Sequence, residues 1–128
     1  MSLELNKKQQ FKREFKKRCF IFSIKLLRLC ELLRGKRINW TIIDQLIRSG
    51  TSIGANIVEG GNSSSKKEFI NYFQIAIKSA SESLYWLAIL AEINKDRKGE
   101  IDELIQECIE MKKIISTIIL NTKNNSRL

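Results

Sequence analysis

The sequence contains no histidine and no proline, and only six of its 128 residues are glycine. Without histidine it lacks the commonest general base and the commonest metal ligand. A ferritin-like di-iron centre, which needs E-x-x-H pairs, is excluded. Without proline and with little glycine, a turn-rich all-β architecture is not expected. The three cysteines, Cys19, Cys30 and Cys108, form no C-x-x-C pair. Each lies on an apolar stripe, so core packing in a reducing compartment is expected. No apolar run reaches the roughly 18 residues of a membrane span. The basic-then-apolar N-terminus imitates a signal peptide as far as Ile24, but Lys25, Arg28 and Glu31 interrupt it and no small-residue cleavage site follows. The expectation is a cytoplasmic protein with no membrane partner.

Cationic charge, by contrast, is in excess. The formal net charge is +9 and the pI is near 9.7. Residues 1–40 hold twelve Lys and Arg against three acids, whereas residues 41–128 hold eleven of each. The whole excess thus falls in the first third. With 43% hydrophobic and 29% charged residues, the chain has the balance of a globular protein that would favour an acidic partner.

Apolar periodicity predicts four helices. Helix 1, about Asn6–Arg34, carries the seam Phe11, Phe15, Cys19, Phe22, Leu26, Leu29 and Leu33, with Gly35 as its stop. Helix 2, about Thr41–Glu59, opens on a Thr41–Asp44 pair that resembles a cap. It places Ile43, Leu46, Ile47, Ile53 and Ile57 on one face with Gly50 and Gly54. Two helical glycines cost about 1 kcal/mol each against alanine, and their four-residue spacing predicts the close approach of another backbone. Gly60-Gly61 is read as a helix stop. Ser65-Lys66-Lys67-Glu68 is a capping box opening helix 3, about Lys66–Asn94. Helix 4 runs from about Glu100 to Asn121, with Ile101, Leu104, Cys108, Met111, Ile115 and Ile118 inward. The expected fold is all-α, an antiparallel up-down-up-down four-helix bundle in one domain over residues 1–128, with 1–5 and 122–128 frayed.

Helix 1 is too apolar for such a bundle. Between Cys19 and Leu33, 11 of 15 positions are apolar. Phe20, Ile21, Ile24 and Leu27 point away from the seam, and four helices cannot surround one of their own. Self-association through these residues is the expected resolution.

The stretch Gln45–Gly60 (QLIRSGTSIGANIVEG), with Ser65–Ile70 (SKKEFI), Ile75-Ala76 and Ser83–Leu87 (SLYWL), resembles the four-helix bundle proteins encoded within intervening sequences of bacterial large-subunit ribosomal RNA genes. That family was once counted among ribosomal proteins. Its signature falls here on Arg48, Ser52, Asn56, Glu59, Gly60, Ser65, Glu68 and Phe69. The resemblance implies a homo-oligomer, a ring-shaped pentamer in known relatives, with no enzymatic activity. A related accessory protein of diversity-generating retroelements is basic and binds both nucleic acid and a reverse transcriptase. The loop Gly61–Ser64 is plain, where many relatives carry an arginine.

Candidate binding residues follow from charge. Lys7, Lys8, Lys12, Arg13, Lys16, Lys17 and Arg18 crowd the start of helix 1, and Arg34, Lys36 and Arg37 follow its end. Such clusters neutralise phosphates and release counterions. No base-reading motif accompanies them, so backbone recognition is expected. The stripe Arg48, Ser52, Asn56 and Glu59 is read as structural, or as a network facing another subunit. Trp40, Tyr85 and Trp86 suit packing better than base stacking. Glu100, Glu103, Glu107 and Glu110 form two E-x-x-E pairs of the kind that hold Mg²⁺ in helical nucleotide hydrolases. They are expected to face water, and helix 3 offers few acids to complete a site. The preferred reading is therefore a non-catalytic oligomer that binds nucleic acid, with no metal or cofactor, and that could serve a partner enzyme. A protein-interaction scaffold is the alternative and a Mg²⁺-dependent hydrolase the remote one.

Overall fold

The seam of helix 1 does what its spacing requires: Phe15, Cys19, Phe22, Leu26, Leu29 and Leu33 are all buried. The computed structural model describes residues 2–125. It contains α1 (Leu3–Leu33), α2 (Trp40–Gly61), α3 (Lys66–Ile93) and α4 (Lys98–Asn124), with single 3₁₀ turns at Arg37–Asn39 and Lys95–Arg97 and no strand among the described residues. At 1.5 Å per residue α1 is about 46 Å long. Contacts that climb α2 descend α3: Ser49 meets Ser83, Ser52 meets Ser79 and Gly60 meets Phe73. Cys108 on α4 lies against Ala80 on α3, and Lys66 reaches Asn125. Consecutive helices are therefore antiparallel, and their apolar faces share one core.

The glycines of α2 are packing glycines. A Cβ on Gly54 would stand 3.4 Å from Cys19 Cβ and 3.7 Å from the Cys19 carbonyl oxygen, so α1 passes directly over it. A Cβ on Gly50 would meet the Leu26 side chain at 2.4 Å. The expected approach of another backbone is present at Gly54, where the partner is α1, whereas Gly50 makes room for an α1 side chain. Gly60 belongs to the same set. It is buried within α2, and a Cβ there would lie 2.8 Å from the Phe73 ring and 3.1 Å from Tyr72 Cβ.

Helix ends depart from the expectations. α2 does end at Gly61, as expected, but no glycine has positive φ, so neither Gly35 nor Gly60-Gly61 forms a left-handed stop. Side chains cap the C-terminus of α1 instead: Asn39 Nδ2 donates to the Leu33 carbonyl at 2.8 Å and Trp40 Nε1 to the Arg34 carbonyl at 2.9 Å. That satisfies two carbonyls left without helical partners. The Thr41–Asp44 capping pair does not form. The helix starts one residue earlier, and Asp44 binds Arg34. At α3, Ser65 Oγ accepts from Glu68 N at 3.1 Å, as the capping box requires. Phe11, expected in the seam, is half exposed, and Ile119 rather than Ile118 is buried near the end of α4. Of the residues expected to fray, Leu3–Leu5 and 122–124 are helical, while Met1 and 126–128 lie outside the described residues.

Two buried asparagines tie the connections together at one end of the bundle. Asn39, before α2, and Asn94, after α3, exchange Nδ2–H···Oδ1 bonds of 2.9 Å in both directions. Each also donates to a carbonyl, Asn39 to Leu33 and Asn94 to Leu90. Every buried side-chain polar atom among the described residues finds a partner, as a well-packed interior requires. The cysteines are free and buried. Burial pushes the thiols up to about 12 for Cys19 and Cys108 and about 11 for Cys30, so they are inert at neutral pH.

The glycines predict opposite responses to one substitution. Gly60→Ala drives a methyl into Phe73, which is held by its stack on Phe69 at 4.1 Å. It should destabilise the fold by about 1–2 kcal/mol, overpacking outweighing the gain in helix propensity. Gly99→Ala meets nothing within 4 Å and should stabilise by about 0.5 kcal/mol. Urea denaturation of the two variants beside the wild type measures both signs.

Candidate nucleic-acid interface

α1 divides at Phe15. Before it, every described side chain from Ser2 to Glu14 is exposed, including Lys7, Lys8, Lys12 and Arg13; after it, Lys16 and Lys17 are exposed too. The first three turns of α1 therefore carry their cations clear of the core. The Phe11 ring stacks over Phe15 at 6.4 Å and links these turns to the packed part of the helix. None of these six cations takes part in an ion pair among the described residues. Lys16 extends over the end of α2, its Nζ 3.5 Å from where a Gly61 Cβ would stand.

Arg18 does not belong with them. Its Nε and Nη2 donate to the two carboxylate oxygens of Glu107 at 2.6 and 2.8 Å, and Nη2 also reaches Glu110 at 3.3 Å. This bidentate fork locks α1 to α4. The guanidinium holds the Glu107 carboxyl below its ordinary range, mainly through these hydrogen bonds. The sequence expectation that Arg18 serves a phosphate and that Glu107 faces water is corrected on both sides: the two neutralise each other. The outward helical position of each residue, read one helix at a time, could not show this.

Arg34, Lys36 and Arg37 are not joined to the first cluster. They follow Arg18 by more than 15 residues, roughly 24 Å of helix. Arg34 pairs with Asp44 at 3.1 Å, Lys36 with Asp96 at 3.3 Å, and Arg37 lies 5.7 Å over the Trp40 ring. The hydrogen bond from Lys36 holds Asp96 below its ordinary range. The candidate residues thus split into an open cluster at one end of the bundle and a largely neutralised one at the other.

The signature stripe of α2 faces α3 within the same chain. Arg48 binds Glu82, which also accepts from Trp86 Nε1 at 2.9 Å. Ser83 Oγ lies 2.8 Å from the Ser79 carbonyl and 2.8 Å from Ser49 Oγ, and Ser49 Oγ in turn lies 3.4 Å from the Leu46 carbonyl. Ser52 Oγ accepts from Ser79 and from Asn56 Nδ2. Glu59 is exposed, Gly60 packs on Phe73, and Phe69 is half buried. Sequence reasoning missed Ser49, Ser83, Asn39 and Asn94. Ser49 and Ser83 fall within the stretches that carry the resemblance and on otherwise apolar faces, whereas Asn39 and Asn94 sit in connections, where a polar residue gives no signal.

The helix-four acids form no metal cluster, nor does any other group of acids and cysteines among the described residues. Glu100 pairs with Arg97, and the best-formed concavities are shallow open grooves. No helix among the described residues is long and apolar enough to cross a membrane.

Residues 12–117 match the model of the family described as 23S rRNA-intervening sequence protein. The chain belongs to this family. A crystal structure from Bacteroides thetaiotaomicron, described as a protein with unknown function from the S23 ribosomal protein family, is 31% identical. The match covers 82% of this chain and 97% of that one, with a TM-score of 0.77. No curated protein matches the sequence. Neither description assigns a reaction to this 23S rRNA-intervening sequence family member. The family match leaves outside it the N-terminal turns that carry Lys7 and Lys8.

The Arg18–Glu107 fork predicts a pH response. Because the folded-state pKa of Glu107 is depressed, its stabilisation is complete above the ordinary glutamate value of about 4.3 and is lost as pH falls through the lowered value. Glu107→Gln should cost about 1 kcal/mol at pH 7 and flatten the acid side of the stability profile. Glu103→Gln, at an exposed position, should change neither. Urea midpoints from pH 7 down to pH 3 make the comparison.

Proposed function

We propose that this protein is a non-catalytic, homo-oligomeric bundle that binds nucleic acid through the phosphate backbone. The observation that carries the reading is the set of six exposed cations on the first turns of α1, without ion-pair partners among the described residues. Arg34, Lys36, Arg97 and Lys98, at the far end, all meet a carboxylate. A cluster of unneutralised charge repels itself in the free protein, and a polyanion relieves that repulsion while releasing its own counterions. Lysines act as point charges without base-edge geometry, so sequence preference is expected to be slight. The family's name, which refers to ribosomal RNA, agrees with such a ligand. A role as accessory to an enzyme acting on RNA or DNA is compatible with the absence of an assigned reaction.

Self-association rests on the outer face of α1. Phe20 is 66% exposed, Ile21 41% and Leu27 39%, with Ile24 half buried between them. These residues continue the outward face that Arg13 and Lys17 occupy further toward the N-terminus. An oligomer joined through them would place several basic segments side by side and add avidity; the resemblance to known relatives favours a pentamer. The same apolar face also suits the alternative, a scaffold that docks a partner protein.

Two measurements test these readings. In fluorescence-anisotropy titrations of random RNA and DNA at several salt concentrations, replacing Lys12, Arg13, Lys16 and Lys17 by Gln should weaken binding to all sequences alike. It should also flatten the slope of log K against log salt on duplex DNA, by up to about 0.9 for each phosphate that is no longer neutralised. Equal affinity of wild type and variant, or no binding at low salt, moves the reading to the scaffold. For assembly, light scattering of the wild type should give a multiple of 14.9 kDa, and Phe20→Glu should reduce it to the monomer with helicity kept. A wild-type monomer at micromolar concentration removes the oligomer.

A further inference from the structure

Residues 41–128 are neutral in sum, yet the fold does not distribute their charges evenly. Lys66 and Lys67 open α3, Lys123 lies near the end of α4, and the three line one shallow groove with Ile70 and Asn71. Lys66 Nζ donates to the Asn125 carbonyl at 2.9 Å, which holds the two helix ends together. The groove lies at the end of the bundle from which α1 emerges. Lys16 extends over Gly61 at the close of α2, and only Asn62–Ser65 separates Gly61 from Lys66. No ion pair among the described residues involves Lys66, Lys67 or Lys123. The nearest acids in sequence, Glu59 and Glu68, are exposed and form no ion pair with them. The acids of α4 all lie in its first half, where Glu100 binds Arg97, Asp102 binds Lys98, and Glu107 and Glu110 bind Arg18.

We infer that the groove of Lys66, Lys67, Asn71 and Lys123 is a second phosphate-binding segment that extends the α1 cluster across the end of the bundle. Its ligand is the phosphodiester backbone of a nucleic-acid duplex. This inference rests on the nucleic-acid reading above and adds to it a location outside the basic third of the sequence. Three lysine ammonium groups supply point charges for phosphates, and the Asn71 amide supplies a neutral donor of the kind that contacts phosphate oxygens. A duplex carries one charge per roughly 1.7 Å of axis, so a surface that continues from α1 onto α3 and α4 engages more phosphates than either part alone. The salt dependence of binding counts them.

The test uses the full-length protein with a random 20-bp DNA duplex and its RNA counterpart, titrated by fluorescence anisotropy from low to moderate salt. The triple change Lys66→Gln, Lys67→Gln and Lys123→Gln should weaken binding and make the DNA slope shallower by about 3, close to one per lysine. The change to three arginines keeps the charge and should keep the slope. A Gln variant that binds with the wild-type slope overturns the second segment, while the α1 variant still reports on the first. Loss in the Gln and Arg variants alike assigns the effect to altered packing and overturns it too. Absence of binding by the wild type overturns both readings together.

Discussion

The close seating of α2 between α1 and α3 is the constraint on which the rest of the bundle depends. Small residues line both sides of α2. Gly50 and Gly54 let Leu26 and Cys19 of α1 approach, and Ser49 and Gly60 let Ser83 and Phe73 of α3 do so. Close helix contact strengthens dispersion along the whole interface, offsetting the helix-propensity cost of the glycines. It also places hydroxyl against hydroxyl in a dry interior, where an unpartnered group is costly. The Ser49–Ser83 contact can be made in one register only, so it specifies how α2 and α3 align. Arg48–Glu82 and Ser52–Ser79 repeat that register toward the surface.

The far end of the bundle uses the same logic with amides. Asn39 and Asn94 belong to different connections, and each satisfies the other while closing a carbonyl of its own neighbourhood. Replacing one alone would leave a buried amide unpaired, at a cost of about 1–3 kcal/mol. Polar pairs in the interior, the Arg18–Glu107 fork half exposed on α1 and α4, and matched ions at the Asn39 end leave charge unneutralised chiefly at the other end. The functional reading follows from that distribution more than from any single residue.

The helices and their inward faces are legible in the sequence because a 3.6-residue apolar repeat is a local property that each helix carries by itself. Helix boundaries are less legible. Gly35 has the look of a stop, yet the carbonyls of α1 are capped by Asn39 and Trp40, residues whose reach depends on how the chain turns back. Gly60 has the look of punctuation and is a contact point for Phe73. In each case the glycine is visible and its reason is not, because conformational freedom and lack of a side chain leave the same letter.

Composition, helix count, the excess of apolar surface on α1 and the placing of the cationic excess in residues 1–40 were determined by the sequence alone, since each is a sum or a periodicity over neighbouring residues. Which cations remain free was decided by tertiary structure. Arg18 and Glu107 are 89 positions apart, and only the packing of α1 on α4 brings them together. Lys66, Lys67 and Lys123 sit in a stretch of zero net charge, and Lys123 joins the other two only because α3 and α4 are antiparallel. Coulomb attraction falls with distance in space and is indifferent to distance along the chain, so the charged surface belongs to the fold.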